Sequence, residues 1–325
     1  MKRRLLLAAL LAACATPGVQ ANVKLNSLFS DHAVLQSEMP VPVWGKADPG
    51  EEVTISVAGQ SATTRAGDDG KWKVTLDKLN TTKEPQTLTA KGKNTITVKD
   101  VIIGEVWLCS GQSNMGMRVN GALNFEEEKK TANLPQVRMY IESSPGAASP
   151  QEEGKGAWYV CSPETVATFS ATAYFFGREL HQKLGAPVGL INSSVGGTRI
   201  EAWISADAQQ NEPALKEFIQ QNDAVRSAFD PAAEKATFDA QMARFNEGVK
   251  RAQAEKKPLP TNKPRDPVSS HERATVLGNL FNGKISPLIP FAIRGAIWYQ
   301  GESNASPQLA RFYETQLSLL IKDWR

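Results

Sequence analysis

The chain has 325 residues, with 37 basic against 34 acidic side chains and a formal charge of +3. Lys2, Arg3 and Arg4 carry that whole excess, so loss of the first segment leaves a near-neutral protein. The densest basic stretch, Lys250-Arg251 through Lys256-Lys257, is interrupted by Glu255, which argues against the clustered basic face that nucleic acid requires. The remaining length is enough to bury a large core and suits two domains.

At the N-terminus, the basic residues Lys2 to Arg4 precede an apolar run from Leu5 to Ala13, a Pro17/Gly18 break and Val19-Gln20-Ala21. This is the pattern of a signal peptide over residues 1–21, and it predicts a periplasmic or secreted protein. The apolar run is too short to span a bilayer, so no transmembrane helix is expected. Leu11-Ala12-Ala13-Cys14 also fits a lipoprotein box with Cys14 as the lipidated residue; either cut leaves the protein outside the cytoplasm. Cleavage at Ala21 leaves Cys109 and Cys161, too few for a disulfide framework and without metal-ligand spacing. No zinc site and no cofactor are expected. Both cysteines follow apolar or aromatic residues, and two readings stay open: buried free thiols, or one mutual disulfide.

Residues 22–103 read as a small all-β sandwich. Short alternating runs (Val53, Ile55, Val57; Trp72, Val74, Leu76; Ile96, Val98) are separated by the turn signals Asp48-Pro49-Gly50, Gly67-Asp68-Asp69-Gly70 and Gly92-Lys93-Asn94. From Gly104 to Arg325 the pattern becomes apolar strands alternating with helices, an α/β domain built on a doubly wound parallel sheet. The predicted strands are Val106–Cys109, Val137–Ile141, Val188–Ile191 and Ile293–Tyr299. Ser170 caps a predicted helix whose Ala173, Phe176, Leu180 and Leu184 share a face, with Gly185 and Pro187 closing it. Residues 205–270, polar and helix-prone until the prolines beginning at Pro258, form an insertion or cap.

Three strand ends carry the chemistry. Ser110-Gly111-Gln112-Ser113-Asn114-Met115 puts a serine on a tight turn at the carboxyl edge of the sheet, where open α/β folds place their sites and backbone N–H groups can face an oxygen. Asn192-Ser193-Ser194-Val195-Gly196-Gly197-Thr198 brings two glycines to the same edge, and Trp298-Tyr299-Gln300-Gly301-Glu302-Ser303-Asn304 brings amides. Singly, each is an ordinary turn. Together they supply a nucleophile and donors for an oxyanion, the parts of an acyl-transfer site.

With these motifs, and with Asp31-His32-Ala33-Val34-Leu35-Gln36, Pro42-Val43-Trp44-Gly45 and Phe175-Phe176-Gly177-Arg178-Glu179-Leu180, the chain resembles the sialate O-acetylesterase family of SGNH (GDSL-like) hydrolases over nearly all of its mature length. The resemblance implies an SGNH-type sheet and Ser113 as nucleophile, with its N–H as one oxyanion donor. It implies Gly196 or Gly197 as the second donor and Gln300 as the side-chain donor, with Asn304 as a weaker substitute. Glu302 would support the site by hydrogen bonding. The implied substrate is an O-acetylated sialic acid or another acetylated glycan, with acetyl xylan as the nearest enzymatic alternative.

The family's base comes from a later Asp-x-x-His segment, which is not found before Asp323-Trp324-Arg325. The chain is therefore expected to be incomplete at its C-terminus, poorly folded, and inactive as it stands. His32, His181 and His271 all read as structural, and Asp100, Glu105, Glu201 and Asp323 as solvated or capping. A non-catalytic glycan-binding or degenerate fragment remains the alternative to an enzyme.

Overall fold

The computed structural model describes residues 22–325; the predicted signal segment and Cys14 lie outside them. Eight strands come first: β1 (Lys24–Leu25), β2 (Val34–Gln36), β3 (Val41–Lys46), β4 (Glu52–Val57), β5 (Gln60–Arg65), β6 (Lys71–Leu76), β7 (Thr82–Lys91) and β8 (Thr95–Gly111). Their alternation explains the packing. In β6, Trp72, Val74 and Leu76 are buried while Lys71, Lys73 and Thr75 are exposed, so one face of the strand turns to the core. Strands β1, β3 and β6 make a three-stranded antiparallel sheet.

The larger sheet is mixed. Strand β8 is 17 residues long and runs through Gly104, where the sequence places the border between two regions. Its first half pairs with β7 antiparallel and with β2 parallel. Its second half pairs in parallel with β11 (Val188–Ser194) and β12 (Gly295–Tyr299). Beyond β11 lie β9 (Leu134–Glu142), also parallel, and β10 (Gly156–Cys161), an antiparallel edge strand that the sequence reading did not identify. Pairing with one neighbour leaves Tyr159 of β10 42% exposed.

Eight α-helices are present among the described residues. Helix α1 (Ser113–Gly116) is a single turn after β8, and α2 (Phe125–Thr131) follows. Helix α3 (Ala171–Leu184) has the predicted ends: Ser170 Oγ accepts from Ala173 N–H at 3.1 Å, and Gly185 closes it in the left-handed region. It packs against β9 and β11. Helices α4 (Ala206–Gln210), α5 (Lys216–Ser227), α6 (Pro231–Ala254) and α7 (Pro267–Thr275) occupy the predicted insertion, and α8 (Pro307–Asp323) ends the chain.

One apolar core runs from Leu28 and Leu35 through Ile103 and Val106 to Trp203 and Leu320, so the β-rich part and the parallel strands are buried together. A second cluster, including Met115, Met139, Tyr174 and Leu190, fills the space under α3. Cys109 and Cys161 are buried free thiols, which settles the two readings of the sequence. Burial pushes the Cys161 thiol up to about 12 and raises that of Cys109 as well, so neither is a ready nucleophile. Strand β12 pairs with β8 alone among the described residues, leaving Tyr299 47% exposed. No described helix is long and apolar enough to cross a membrane.

Candidate active site

The three serine- and glycine-bearing strand ends meet because of register. Ser110 lies beside Ser193 of β11 and Trp298 of β12, and Gly111 lies beside Ser194 and Tyr299. The turn out of β8 is stitched to both neighbours: Gln112 N–H donates to Tyr299 O at 2.9 Å, and Val195 N–H donates to Gly111 O at 3.1 Å. Gly111 has φ +139, and a Cβ there would sit 2.1 Å from Tyr299 O, so only glycine fits.

Ser113 follows, exposed, at the first position of α1. Its hydroxyl has no hydrogen-bond partner among the described residues. The turn beneath it is fixed from α3: Ser170 Oγ donates to Met115 O at 2.6 Å, and Thr172 Oγ1 donates to Asn114 O at 2.9 Å. Gly196 lies directly against the serine, since a Cβ on it would be 3.4 Å from Ser113 Cβ and 3.9 Å from Ser113 N. Gly197 has φ +72. The N–H groups of Gly196 and Gly197 donate to nothing among the described residues, in contrast to the occupied N–H of Val195. Ser113 thus sits beside Gly196, whose N–H has no acceptor of its own, in a cleft of about 640 Å³ lined also by Met117, Arg118, Ile141, Thr168 and Asn192; Gly197 does not line that cleft.

Glu302 holds the residues on both sides of Ser113. Its carboxylate accepts short hydrogen bonds from Gln112 Nε2 and Asn114 Nδ2, while Ser303 Oγ donates to Gln112 Oε1 at 3.0 Å. The sequence marked Glu302 as a supporting group. It did not mark Gln112, whose side chain is buried beside the exposed serine.

Gln300 is placed differently from its expected role. Its Nε2 donates to Thr198 O at 3.0 Å and to Asn304 Oδ1 at 2.8 Å, and its Oε1 accepts from Tyr313 OH at 3.0 Å. One amide hydrogen therefore braces the glycine loop and the other is held by Asn304, so neither is free for an oxyanion. Asn304, 2% exposed, is also committed: its Nδ2 donates to Glu201 Oε2 at 3.0 Å, and its Oδ1 accepts from Ile200 N–H at 3.0 Å. Glu201, expected to be solvated or capping, is 3% exposed. Burial pushes its carboxyl above the ordinary range, opposed by the bond from Asn304. A glutamate flanked by Ile200 and Ala202-Trp203 was the available signal, because a charge inside an apolar run is a candidate for burial.

The other charged candidates have structural partners. Asp323 accepts from Ser205 N–H and Oγ, each at 2.7 Å; Glu105 pairs with Arg294; and Asp100 pairs with Arg138 and His32. None of the three histidines is hydrogen-bonded to Ser113. His32 bonds Asp100 at 2.6 Å, His181 Nδ1 lies 2.7 Å from Ala186 O, and His271 stacks on Phe229.

Residues 103–250, which include Ser113 and the two glycines, match the family described as carbohydrate esterase, sialic acid-specific acetylesterase. The chain is 30% identical to a sialate O-acetylesterase of Rattus norvegicus, over 97% of its own length and 58% of the relative's. To a sialate O-acetylesterase of Homo sapiens it is 32% identical, over 93% and 53% respectively. A crystal structure of a carbohydrate acetylesterase from Xanthomonas citri superposes with a TM-score of 0.71 at 30% identity, covering 93% of this chain and 56% of that one. The chain spans little more than half the length of these relatives. Over residues 103–250, a little under half of its length, this chain is similar to the sialic acid-specific acetylesterase family of carbohydrate esterases.

Proposed function

We propose that the chain is a serine carbohydrate O-acetylesterase that removes acetyl groups from sugars, with an O-acetylated sialic acid as substrate. The observation that carries this reading is the placement of exposed Ser113 against Gly196, whose N–H, like that of Gly197, has no acceptor among the described residues. Ser113 Oγ attacks the acetyl carbonyl as its proton passes to a base, and the carbonyl oxygen becomes an oxyanion held by backbone N–H groups of Ser113 and of Gly196 or Gly197. The C–O bond to the sugar then breaks, the sugar oxygen takes the proton, and water hydrolyses the acetyl-enzyme to acetate and free serine. Gln300 acts here by holding Thr198 O, and through it the loop that bears the second donor.

The finer fold reading belongs to the same proposal: an SGNH-type doubly wound sheet preceded by a β-sandwich. It is supported by the parallel order β9-β11-β8-β12 and by β1, β3 and β6 forming a sheet of their own. A periplasmic or secreted location is likewise proposed, from the N-terminal sequence pattern.

The test is release of acetate from an O-acetylated N-acetylneuraminate and from 4-nitrophenyl acetate. Ser113→Ala should lower turnover by at least about a thousand-fold, the scale on which nucleophile removal acts in serine hydrolases. Equal turnover in the variant and the parent overturns the assignment. A second reading, a glycan-binding chain without turnover, is favoured by the other partners of all three histidines, none of which is hydrogen-bonded to Ser113. Binding of the sugar with no acetate release from the parent chain would decide for it.

A further inference from the structure

Two charged residues line the Ser113 cleft, Arg118 and Glu142. They are in opposite situations. Glu142 is 6% exposed; its carboxylate forms a short ion pair with buried Lys284 and accepts from Ser144 N–H at 2.6 Å, so its charge is met inside the protein. Arg118 is exposed and forms no ion pair or side-chain hydrogen bond among the described residues.

The backbone that presents Arg118 is held on both sides. Ala171 N–H donates to Met117 O at 2.7 Å, Val119 N–H donates to Phe169 O at 2.9 Å, and Arg118 bridges to Ser170, the cap of α3. Ser170 is also the residue that fixes the Ser113 turn through Met115 O. The guanidinium and the serine are therefore carried by one braced segment. Around them the cleft offers the half-exposed apolar side chain of Met117 and the polar groups of Asn192 and Ser194.

We propose that Arg118 binds the carboxylate of an acidic sugar whose ester lies at Ser113, and is the residue that selects anionic over neutral acetylated sugars. This assignment rests on the reading of the cleft as an esterase site. A planar guanidinium can take both oxygens of a carboxylate in parallel hydrogen bonds, which a neutral pentose such as xylose does not offer. Selection comes from the added contact. An exposed arginine left facing a neutral sugar stays hydrated at little cost, so neutral ligands are bound less tightly but not repelled.

The experiment compares the affinities of N-acetylneuraminate and its neutral methyl ester for the full chain by titration calorimetry or ligand-observed NMR. The acid should bind roughly 10- to 100-fold more tightly than the ester, the range of one charged hydrogen-bonded pair. Added salt should narrow that ratio. Arg118→Ala should bring the ratio close to one, and Arg118→Lys should keep part of it. A parent chain that binds acid and ester alike overturns the assignment, as does an Arg118→Ala variant that keeps the ratio. If Arg118→Ala loses its cooperative melt, Arg118→Gln and the parent's salt series decide by the same two criteria. The ratio is read without turnover, so it stands or falls separately from the acetate release that tests Ser113.

Discussion

Gln112, Glu201 and Asn304, beside the Ser113 turn, are each under 5% exposed and hydrogen-bonded, whereas α6 runs for 24 residues and buries only Ala252. Both regions are rich in polar side chains. In the first, polar groups are removed from water and must find one another, so each fixes the position of the next. In the second they face solvent, and the helix depends on local devices: Asp230 accepting from Ala232 and Ala233 N–H, Pro231 in the first turn, and the Lys235–Asp239 pair. A site needs the first kind of order. An insertion can tolerate the second.

The contrast can be broken most severely at Gly111. In Gly111→Val the new Cβ meets the backbone of Tyr299, so the turn and β12 cannot both keep their places; the expected cost is on the order of 4 kcal/mol or more. Urea denaturation followed by tryptophan fluorescence would read it, and a loss under 1 kcal/mol would mean that the edge is not stitched as described. Next comes Asn304→Ala, which leaves Ile200 N–H without a partner and takes from the Glu201 carboxylate its side-chain hydrogen bond, leaving it the 3.9 Å pair with Arg199, and should cost about 3 kcal/mol. Gln300→Ala should cost only about 1 kcal/mol, because its partner Tyr313 OH can still reach Gln300 O. A Gln300→Ala variant with unchanged melting and much lower kcat would restore the side chain to the oxyanion role.

A smaller effect concerns pH. The Glu201 carboxyl is raised above its ordinary value of about 4.5 in the folded chain. Between that value and the raised one the unfolded chain has released a proton that the folded chain keeps, so stability should fall as pH rises through this window. Glu201→Gln should flatten that fall in a series of urea midpoints from pH 4 upward, and a slope unchanged by the substitution would remove Glu201 as its source. The smallest change belongs to the insertion. Lys235→Ala removes an exposed pair four residues apart on α6 and should alter stability by less than about 0.5 kcal/mol, as measured by thermal melting.

This contrast also separates what could be read from the sequence. Strand ends marked by Ser113, by Gly196-Gly197 and by Gln300 to Asn304 were legible together, because each alone is an ordinary turn while three such turns after apolar runs share one sheet edge. The ends of α3 were legible for a similar reason, since Ser170 and Gly185 act within one turn of the backbone. Partners across about 100 or more residues were not. Nothing local in Gln112 points to Glu302, or in Glu201 to Asn304, because those contacts exist only once the parallel register has brought distant strands together. Gln300 shows the same limit: its position at the edge was visible, and the use of its two amide hydrogens was not. The edge strand β10 escaped notice because its six residues are short of a clear alternation, with Trp158 and Cys161 buried and Tyr159 alone exposed.

Strand β8 carries one more consequence. A glycine at 104 looks like the articulation between two regions, yet there the chain is in mid-strand, and a Cβ would lie 2.1 Å from Pro187 O. The residue is small because another backbone passes close by, and Glu105 N–H donates to that same carbonyl at 2.9 Å. Bending at this point would tear a ladder that continues into Ser110 and Gly111. The β-rich part is thus no pendant module swinging beside the parallel strands. Through β8 it is an outrigger fixed to them, and amide hydrogens from Val106 to Cys109 should exchange with deuterium only when the whole chain opens.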